Sequence, residues 1–343
     1  MDSGRDSALD LGADSGVILP YTLYVKTMGK DTNSGKSPVA AVKTLARVQK
    51  ILQADHPNRD VEVRIEQGTY TGQSVTWTYY NPFHKIAFMP IDYHGGGVNS
   101  IAGLPVFDGR GAGAFLGLHA SDGKPTRLEF VYLEIRGYQK FGILFGGNRD
   151  DFANGWNGYN RIYGCRLTKI GSYDNPGAHG YGALDFVNSR HNTIRNNHFV
   201  NVRNASGGEG LMHAVYLAHG SSDNQITANR FTGISGDPIR ARDESNRNHV
   251  ADNVFKDTGS GAFISDWWCD KSQISACTKV SGECPSWEND FRNNEVHCGY
   301  GGKTVSLFTY YQGKSYVPSW CVNHSIKDGW KRLYTSGNQG TCP

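Results

Sequence analysis

The stretch Asn192-Thr193-Ile194-Arg195-Asn196-Asn197-His198-Phe199 sets the pattern on which the rest of the chain aligns. An asparagine is followed two residues on by an apolar residue, and the same pair repeats three residues later. The register returns as Asn224-x-Ile226-x-x-Asn229-x-Phe231, Asn248-x-Val250-x-x-Asn253-x-Phe255 and Asn289-x-Phe291-x-x-Asn294-x-Val296. Upstream it reads Asn160-x-Ile162-x-x-Cys165-x-Leu167, preceded by a weaker Thr126-x-Leu128-x-x-Val131-x-Leu133. Short apolar spacing of this kind belongs to strands, and asparagine belongs where one strand bends into the next, because it tolerates left-handed backbone and its amide bonds to neighbouring peptide groups. Repeated once per coil, such residues predict a solenoid in which each coil covers the apolar face that its neighbour cannot bury alone. The predicted fold is an all-β, single-stranded right-handed parallel β-helix. An antiparallel sandwich leaves the fixed register of asparagine against apolar residue unexplained.

The 343 residues include 43 glycines and 18 tyrosines, carry a formal net charge of +3 and are 38% hydrophobic. No apolar run is long enough to cross a bilayer, so no membrane partner is expected. The mild charge lacks the concentrated basic patch of a nucleic-acid binder and leaves an acidic ligand acceptable. Residues 1–20 read as a flexible lead, and 21–343 as the β-helix domain with its cap, acting as a monomer. Cys269, Cys277, Cys284, Cys298, Cys321 and Cys342 crowd the C-terminal part, while Cys165 stands alone in an asparagine position of the repeat. Their intervals are too long and irregular for a metal site, so the expectation is a disulfide-stapled C-terminal cap and a secreted, extracellular protein.

Tyr24-Val-Lys-Thr-Met-Gly-Lys-Asp-Thr-Asn-Ser-Gly-Lys-Ser-Pro, with Val42-Lys-Thr-Leu and Ile65-Glu-Gln-Gly-Thr-Tyr, resembles the opening of pectin-lyase-like β-helix proteins. The resemblance covers the architecture from residue 24 to about residue 296. It implies an N-terminal capping helix, matched by a helical pattern over 40–54, and a carbohydrate-active enzyme, since the superfamily holds lyases, hydrolases, epimerases and phage depolymerases.

Aligning coils on the repeat brings the segments 183–187, 215–219, 239–243 and 262–266 side by side, about 4.8 Å apart. In this alignment Ala183, Val215, Ile239 and Ala262 face inward. Leu184, Tyr216, Arg240 and Phe263 then face outward, as do Phe186, Ala218, Arg242 and Ser265. His213 aligns with Asp237, and His219, Asp243 and Asp266 share a stack. Long loops at 168–182 and 200–214, which hold Asp174, His179, Tyr181, Glu209 and His213, wall one end of this surface. Arginine guanidiniums neutralise a uronate carboxylate, and His213 or Tyr216 exchanges protons with the sugar, so Arg240, Arg242, His213 and Tyr216 suit β-elimination without a redox cofactor. Asp237 and Asp243, with Glu209 and Asp266, supply the carboxylates of a rival glycoside hydrolase and are equally suited to Ca²⁺. His179, Tyr181, Glu209, His219, Asp266 and Trp267 are the expected sugar contacts. Trp268, Trp287, Trp320, Tyr310, Tyr311 and Tyr316 are expected chiefly as packing in the cap.

The expected function is therefore a polysaccharide lyase acting on a uronate-containing glycan. A hydrolase in the same cleft, a C5-epimerase and a non-catalytic carbohydrate-binding β-helix are the alternatives. The cysteine pattern is checked by peptide mass mapping without reduction, which is expected to recover disulfides among the six C-terminal cysteines and a free thiol at Cys165. Six free thiols in exported protein would refute the secretion argument.

Overall fold

The computed structural model describes residues 18–343 except 98, 100–101, 174–178, 271–281, 311–316, 318, 322–330, 341 and 343. Residues 1–17, Asp174, Cys277, Tyr311 and Tyr316 thus lie outside the described residues. The chain winds as a right-handed parallel β-helix. One ten-stranded and two eight-stranded parallel sheets form its three faces. Successive strands in a sheet come from successive coils, as when Thr193–Arg195 pairs with Gln225–Thr227 and that strand with His249–Ala251. A helix, α1 (Leu45–Asp55), lies at the N-terminal end and buries Leu45, Val48, Ile51 and Leu52. The Thr44 hydroxyl, accepting from the Arg47 amide at 3.2 Å, starts α1. The helix therefore begins later than the pattern over 40–54 predicts, because Pro38–Ala40 forms its own short 3₁₀ turn.

Two ladders of asparagine side chains run along the solenoid. In the first, Asn160, Asn192, Asn224 and Asn248 each donate their backbone amide to the side-chain oxygen of the next coil's asparagine, at 2.9, 2.9, 3.1 and 2.9 Å. The second links Asn197, Asn229, Asn253, Asn294 and Asn338 in the same way. The residue ahead of each corner asparagine is left-handed: Asn196 at φ 57°, Ala228 at 56°, Asp252 at 58° and Asn293 at 53°. The turn places the next peptide N–H inside the coil, away from water, and the neighbour's amide oxygen is its acceptor. Cys165 occupies one rung as a buried free thiol, with its backbone amide on the Asn197 oxygen at 2.9 Å.

Between the ladders the interior is filled by like residues stacked on like. Phe199, Phe231 and Phe255 lie with ring centroids 4.9 and 4.7 Å apart and planes within 11°. Those distances are the strand spacing itself, so flat offset stacking follows from the parallel register. The upstream copy corrects the sequence alignment. Phe130 pairs with Ile162 and Ile135 with Leu167, so the true match is Leu128-x-Phe130-x-x-Leu133-x-Ile135, two residues beyond the Thr126 frame. A slip of two keeps every inward residue inward, and alternation alone cannot detect it.

At the C-terminal end, disulfides join Cys284 to Cys321 and Cys298 to Cys342, and Cys269 is also disulfide-bonded. Among the described residues no helix is long and apolar enough to cross a membrane.

Replacing Asn229 by Ala removes the acceptor for the Asn197 amide and for its side-chain nitrogen. It also removes the donor to the Ile194 carbonyl at 2.9 Å. Each buried group so stranded costs roughly 1–3 kcal/mol. Urea unfolding is expected to show a loss of at least about 3 kcal/mol, whereas wild-type stability in Asn229→Ala would show that the ladder is ornamental.

Candidate active site

One sheet carries the cleft, and its observed register differs from the sequence alignment. Val215 pairs with Ile239 as expected, but its partner in the preceding coil is Leu184 rather than Ala183, and Ile239 meets Ile264 rather than Ala262. Leu184 and Phe186 therefore belong to the core instead of the surface, and Phe263, whose alternation the shift of two leaves unchanged, is also buried there against Phe255. The outward track is Asp185, Tyr216, Arg240 and Ser265 in consecutive coils, and beside it run Val187, Ala218, Arg242 and Trp267. Asp266 falls in register with Ala241, inside the coil, and not with His219 and Asp243. There it bonds Arg332 and accepts from the Ser286 amide, so it is buried structure rather than a sugar contact. The misalignment arose because the loops before these strands differ in length: a slip of one exchanged the faces in the coil of Leu184, and a slip of two kept them in the coil of Ile264.

The tracks open into a cleft of about 730 Å³ lined by Tyr181, Glu209, His213, Tyr216, Asp237, Arg240, Arg242 and Trp267, together with Ser260, Thr309, Tyr310 and loop residues 207–211. The long loops do wall it. Residues 207–211 include the 3₁₀ turn Glu209–Leu211, where the Glu209 carboxylate accepts from the Gly207 amide at 2.8 Å. His179 sits beneath this wall, so close to Gly208 that a Cβ there would lie 2.2 Å from its Nδ1. Tyr181, 52% exposed, stands at the rim with its ring 6.4 Å from that of Tyr216.

His213 is buried at the cleft floor, and its Nδ1 lies 2.6 Å from the backbone carbonyl of Asp237. A carbonyl only accepts, so Nδ1 carries the proton and Nε2 keeps its lone pair. Burial, reinforced by the Arg240 charge, pushes the imidazole down to about 3 and keeps it neutral. Its ring stacks 5.4 Å from that of Tyr216. The Tyr216 hydroxyl accepts from Arg242 Nη1 at 2.9 Å, which favours its anion, while burial opposes ionisation more strongly and raises the phenol overall.

The two arginines are held by opposite partners. Arg240, expected on an exposed surface, is only 7% exposed and donates to the Asp237 carboxylate at 3.0 Å and to the Ser265 hydroxyl at 2.7 Å. The other Asp237 oxygen accepts from the amides of Gly261 and Ala262 and from Ser260. Burial would raise this carboxyl, yet Arg240 and the two amides outweigh it and hold Asp237 at about 2. Arg242 forms a two-pronged pair with Glu283 at 2.7 and 2.6 Å and lies 4.2 Å above the Trp267 ring. His219 bonds Asp243 at 2.8 Å outside the cleft lining, and the second Asp243 oxygen accepts from the Cys284 amide.

Among the described residues, His219, Asp243 and Glu283 have ligand atoms within 4.8 Å of one another. Both Glu283 oxygens face Arg242, both Asp243 oxygens accept from protein donors, and the His219 nitrogen is the donor to Asp243. A cation there would have to displace these bonds. Of the acids named for Ca²⁺, Asp237, Asp243 and Asp266 thus spend their oxygens on the protein. Sequence reasoning missed Asp185 and Glu283. Aligning that coil one residue later would have placed Asp185 next to Tyr216, whereas Glu283 lies outside the repeat and carries no periodic signal.

No family profile matches this sequence, and no curated protein sequence matches it. Among solved structures, the chain is similar to an alginate lyase from Paenibacillus sp. str. FPU-7, with 15% identity, a TM-score of 0.53, and coverage of 87% of this chain and 93% of that one. It is also similar to a GH136 lacto-N-biosidase from Eubacterium ramulus, with 13% identity and a TM-score of 0.51, covering 84% of this chain and 55% of the longer neighbour. At such identities the likeness is one of fold.

Asp185 gives this arrangement a pH signature. Its Oδ1 is buried without a hydrogen-bond partner, and burial pushes the carboxyl up to about 8 from 3.8. Between those two values the folded protein holds a proton that the unfolded chain has released, so this group's stabilisation is full below the lower value and fades as pH rises through the upper. Asp185→Asn removes the ionisation. Its thermal midpoint is expected to gain on wild type progressively from about pH 4 to pH 8. Parallel stability curves over that window would mean that Asp185 is ionised in the fold.

Proposed function

We propose that this protein is a secreted polysaccharide lyase that cleaves a uronate-containing glycan by β-elimination, with His213 as base and Tyr216 as acid. The observation that carries the reading is the state of His213, a neutral imidazole in the cleft with its proton fixed on Nδ1 and Nε2 left to accept. In the reaction Nε2 takes the C5 proton of the uronate, the electrons form the C4–C5 double bond, and the C4–O bond breaks. The leaving oxygen takes the Tyr216 proton, and Arg242 stabilises the phenolate left behind. Arg240 and Arg242 stand over the cleft already fixed by Asp237 and Glu283, so charge developing on the carboxylate meets dipoles that need not reorganise. Tyr181 and Trp267 offer ring faces to the sugar.

One observation favours the hydrolase reading. Asp185, protonated near neutral pH, is a natural general acid one coil from Tyr216. A hydrolase also needs an ionised carboxylate with a free oxygen; Asp237 and Asp243 have committed theirs to protein donors, which leaves that role to Glu209 on the loop wall, bonded through Oε2 alone. The lyase reading is the better supported.

The test incubates the protein with alginate, polygalacturonate and other acidic and neutral glycans. Ultraviolet absorbance of unsaturated uronate and new reducing ends are measured together, and both are expected with one acidic polymer. Reducing ends without the absorbance would assign hydrolysis, and neither signal would leave binding alone. Tyr216→Phe and His213→Gln are each expected to lower kcat by at least about 10²-fold. Because His213 stays neutral far below the ordinary 6.5, the acid limb of kcat/KM is expected well under that pH. Arg240→Lys is the informative arginine variant, since Arg240→Ala would leave Asp237 buried and unpaired. Lysine keeps the charge but loses the fork, so poor activity is expected, and full activity in both His213→Gln and Arg240→Lys would dismiss this site.

A further inference from the structure

The C-terminal cap lines the cleft with Thr309 and Tyr310, and it also holds one of the cleft's arginines from behind through Glu283. Glu283 is 1% exposed and lies outside the repeat, in the 41-residue coil between the rungs Asn248 and Asn289, where the earlier coils between Asn160 and Asn224 take 32 residues and the one before it 24. Its carboxylate grips Arg242 with both oxygens at 2.7 and 2.6 Å, and the remaining arm of that guanidinium donates to the Tyr216 hydroxyl at 2.9 Å. Cap atoms fix Glu283 in turn. The Cys269 amide donates to its Oε2 at 2.8 Å, the Trp320 indole donates to its backbone carbonyl at 3.2 Å, and the next residue, Cys284, is cross-linked to Cys321.

We infer that Glu283 is a positioning residue that aims Arg242 at the Tyr216 hydroxyl, so that the cleft becomes competent only when the Cys284–Cys321 cross-link closes the cap. The inference rests on the reading of Tyr216 as the acid. A carboxylate is the only side chain that accepts from two arms of a guanidinium while accepting a backbone amide at one oxygen. In Glu283→Gln one of the two facing atoms becomes a donor, the fork opens, and the guanidinium loses the constraint that holds its third arm on the phenol. The cost falls on the proton transfer and leaves sugar contacts such as Tyr181 untouched.

Glu283→Gln is therefore expected to lower kcat roughly 10²-fold, the order expected for a misplaced reacting group, with KM within about twofold of wild type. The pair Cys284→Ser with Cys321→Ser should reproduce that loss while circular dichroism still reports the intact solenoid. Cys298→Ser with Cys342→Ser, removing a cross-link that contributes no residue to the cleft, should retain kcat. Wild-type kcat in Glu283→Gln, beside inactive Tyr216→Phe and Arg242→Ala, overturns the positioning role alone. Unchanged turnover in Tyr216→Phe and Arg242→Ala overturns the active-site reading beneath it. A substrate-free arm is a crystal structure of Glu283→Gln. Displacement of the guanidinium from the phenol supports the inference, and a bond kept within about 3.2 Å refutes it.

Discussion

Everything in this molecule depends on the bond between an asparagine side chain and the backbone amide of the coil beneath it. A parallel β-helix must turn its chain sharply several times per coil, and each turn directs peptide groups into an interior that has no water. Asn192, Asn197 and their equivalents meet that need coil by coil, at distances from 2.8 to 3.1 Å. The bond needs an asparagine at the matching corner of the following coil, whatever residue donates, so it fixes register along the axis as well as satisfying the turn. The phenylalanine stacks inside and the paired tracks outside inherit that register.

The rigid lattice explains how the cleft tolerates so many ionisable groups at close quarters. Arg240 and Arg242 sit on adjacent tracks of the same coil and would repel each other if unpaired. Asp237 answers one and Glu283 the other, at 3.0 and 2.6 Å. The same arrangement separates protonation states. Arginine and backbone amides keep Asp237 ionised against its burial, while burial without a partner keeps Asp185 protonated. A neutral His213 lies between these extremes, close to Tyr216. Buried pairs of this kind add little net stability, because each ion gives up its hydration, and the proposed chemistry of the cleft is a reason for them to be present.

The cap is both closure and component. A solenoid end exposes an apolar cross-section, and in the disulfide-linked C-terminal segment Ser306–Tyr310 and Leu333–Ser336 extend two of the sheets while Val305, Phe308 and Leu333 pack on the core. Trp268 and Trp287 serve that purpose, packed around Arg332 at 4.9 and 5.3 Å. Trp267, the last residue of the strand Ala262–Trp267, faces the other way, onto Arg242, and Trp268 just beyond the strand is buried against Arg332.

By itself the sequence determined the solenoid, because a repeat of asparagine and apolar residues is a direct record of what each corner and each inward position requires. It also determined the pairing of Tyr216 with Arg240, the alignment of His213 with Asp237 and the long loops that wall the cleft, since those lie in coils where the repeat is unbroken. Tertiary structure decided the rest. Alternation has a period of two, so a loop of unknown length leaves a strand's starting point open; a slip of one turned Asp185 inward in the alignment, and a slip of two on the same face stacked Asp266 with Asp243 instead of Ala241. Glu283 was beyond reach for another reason. It arrives from a segment with no repeat, and only the folded cap brings it, from 41 residues along the chain, against Arg242.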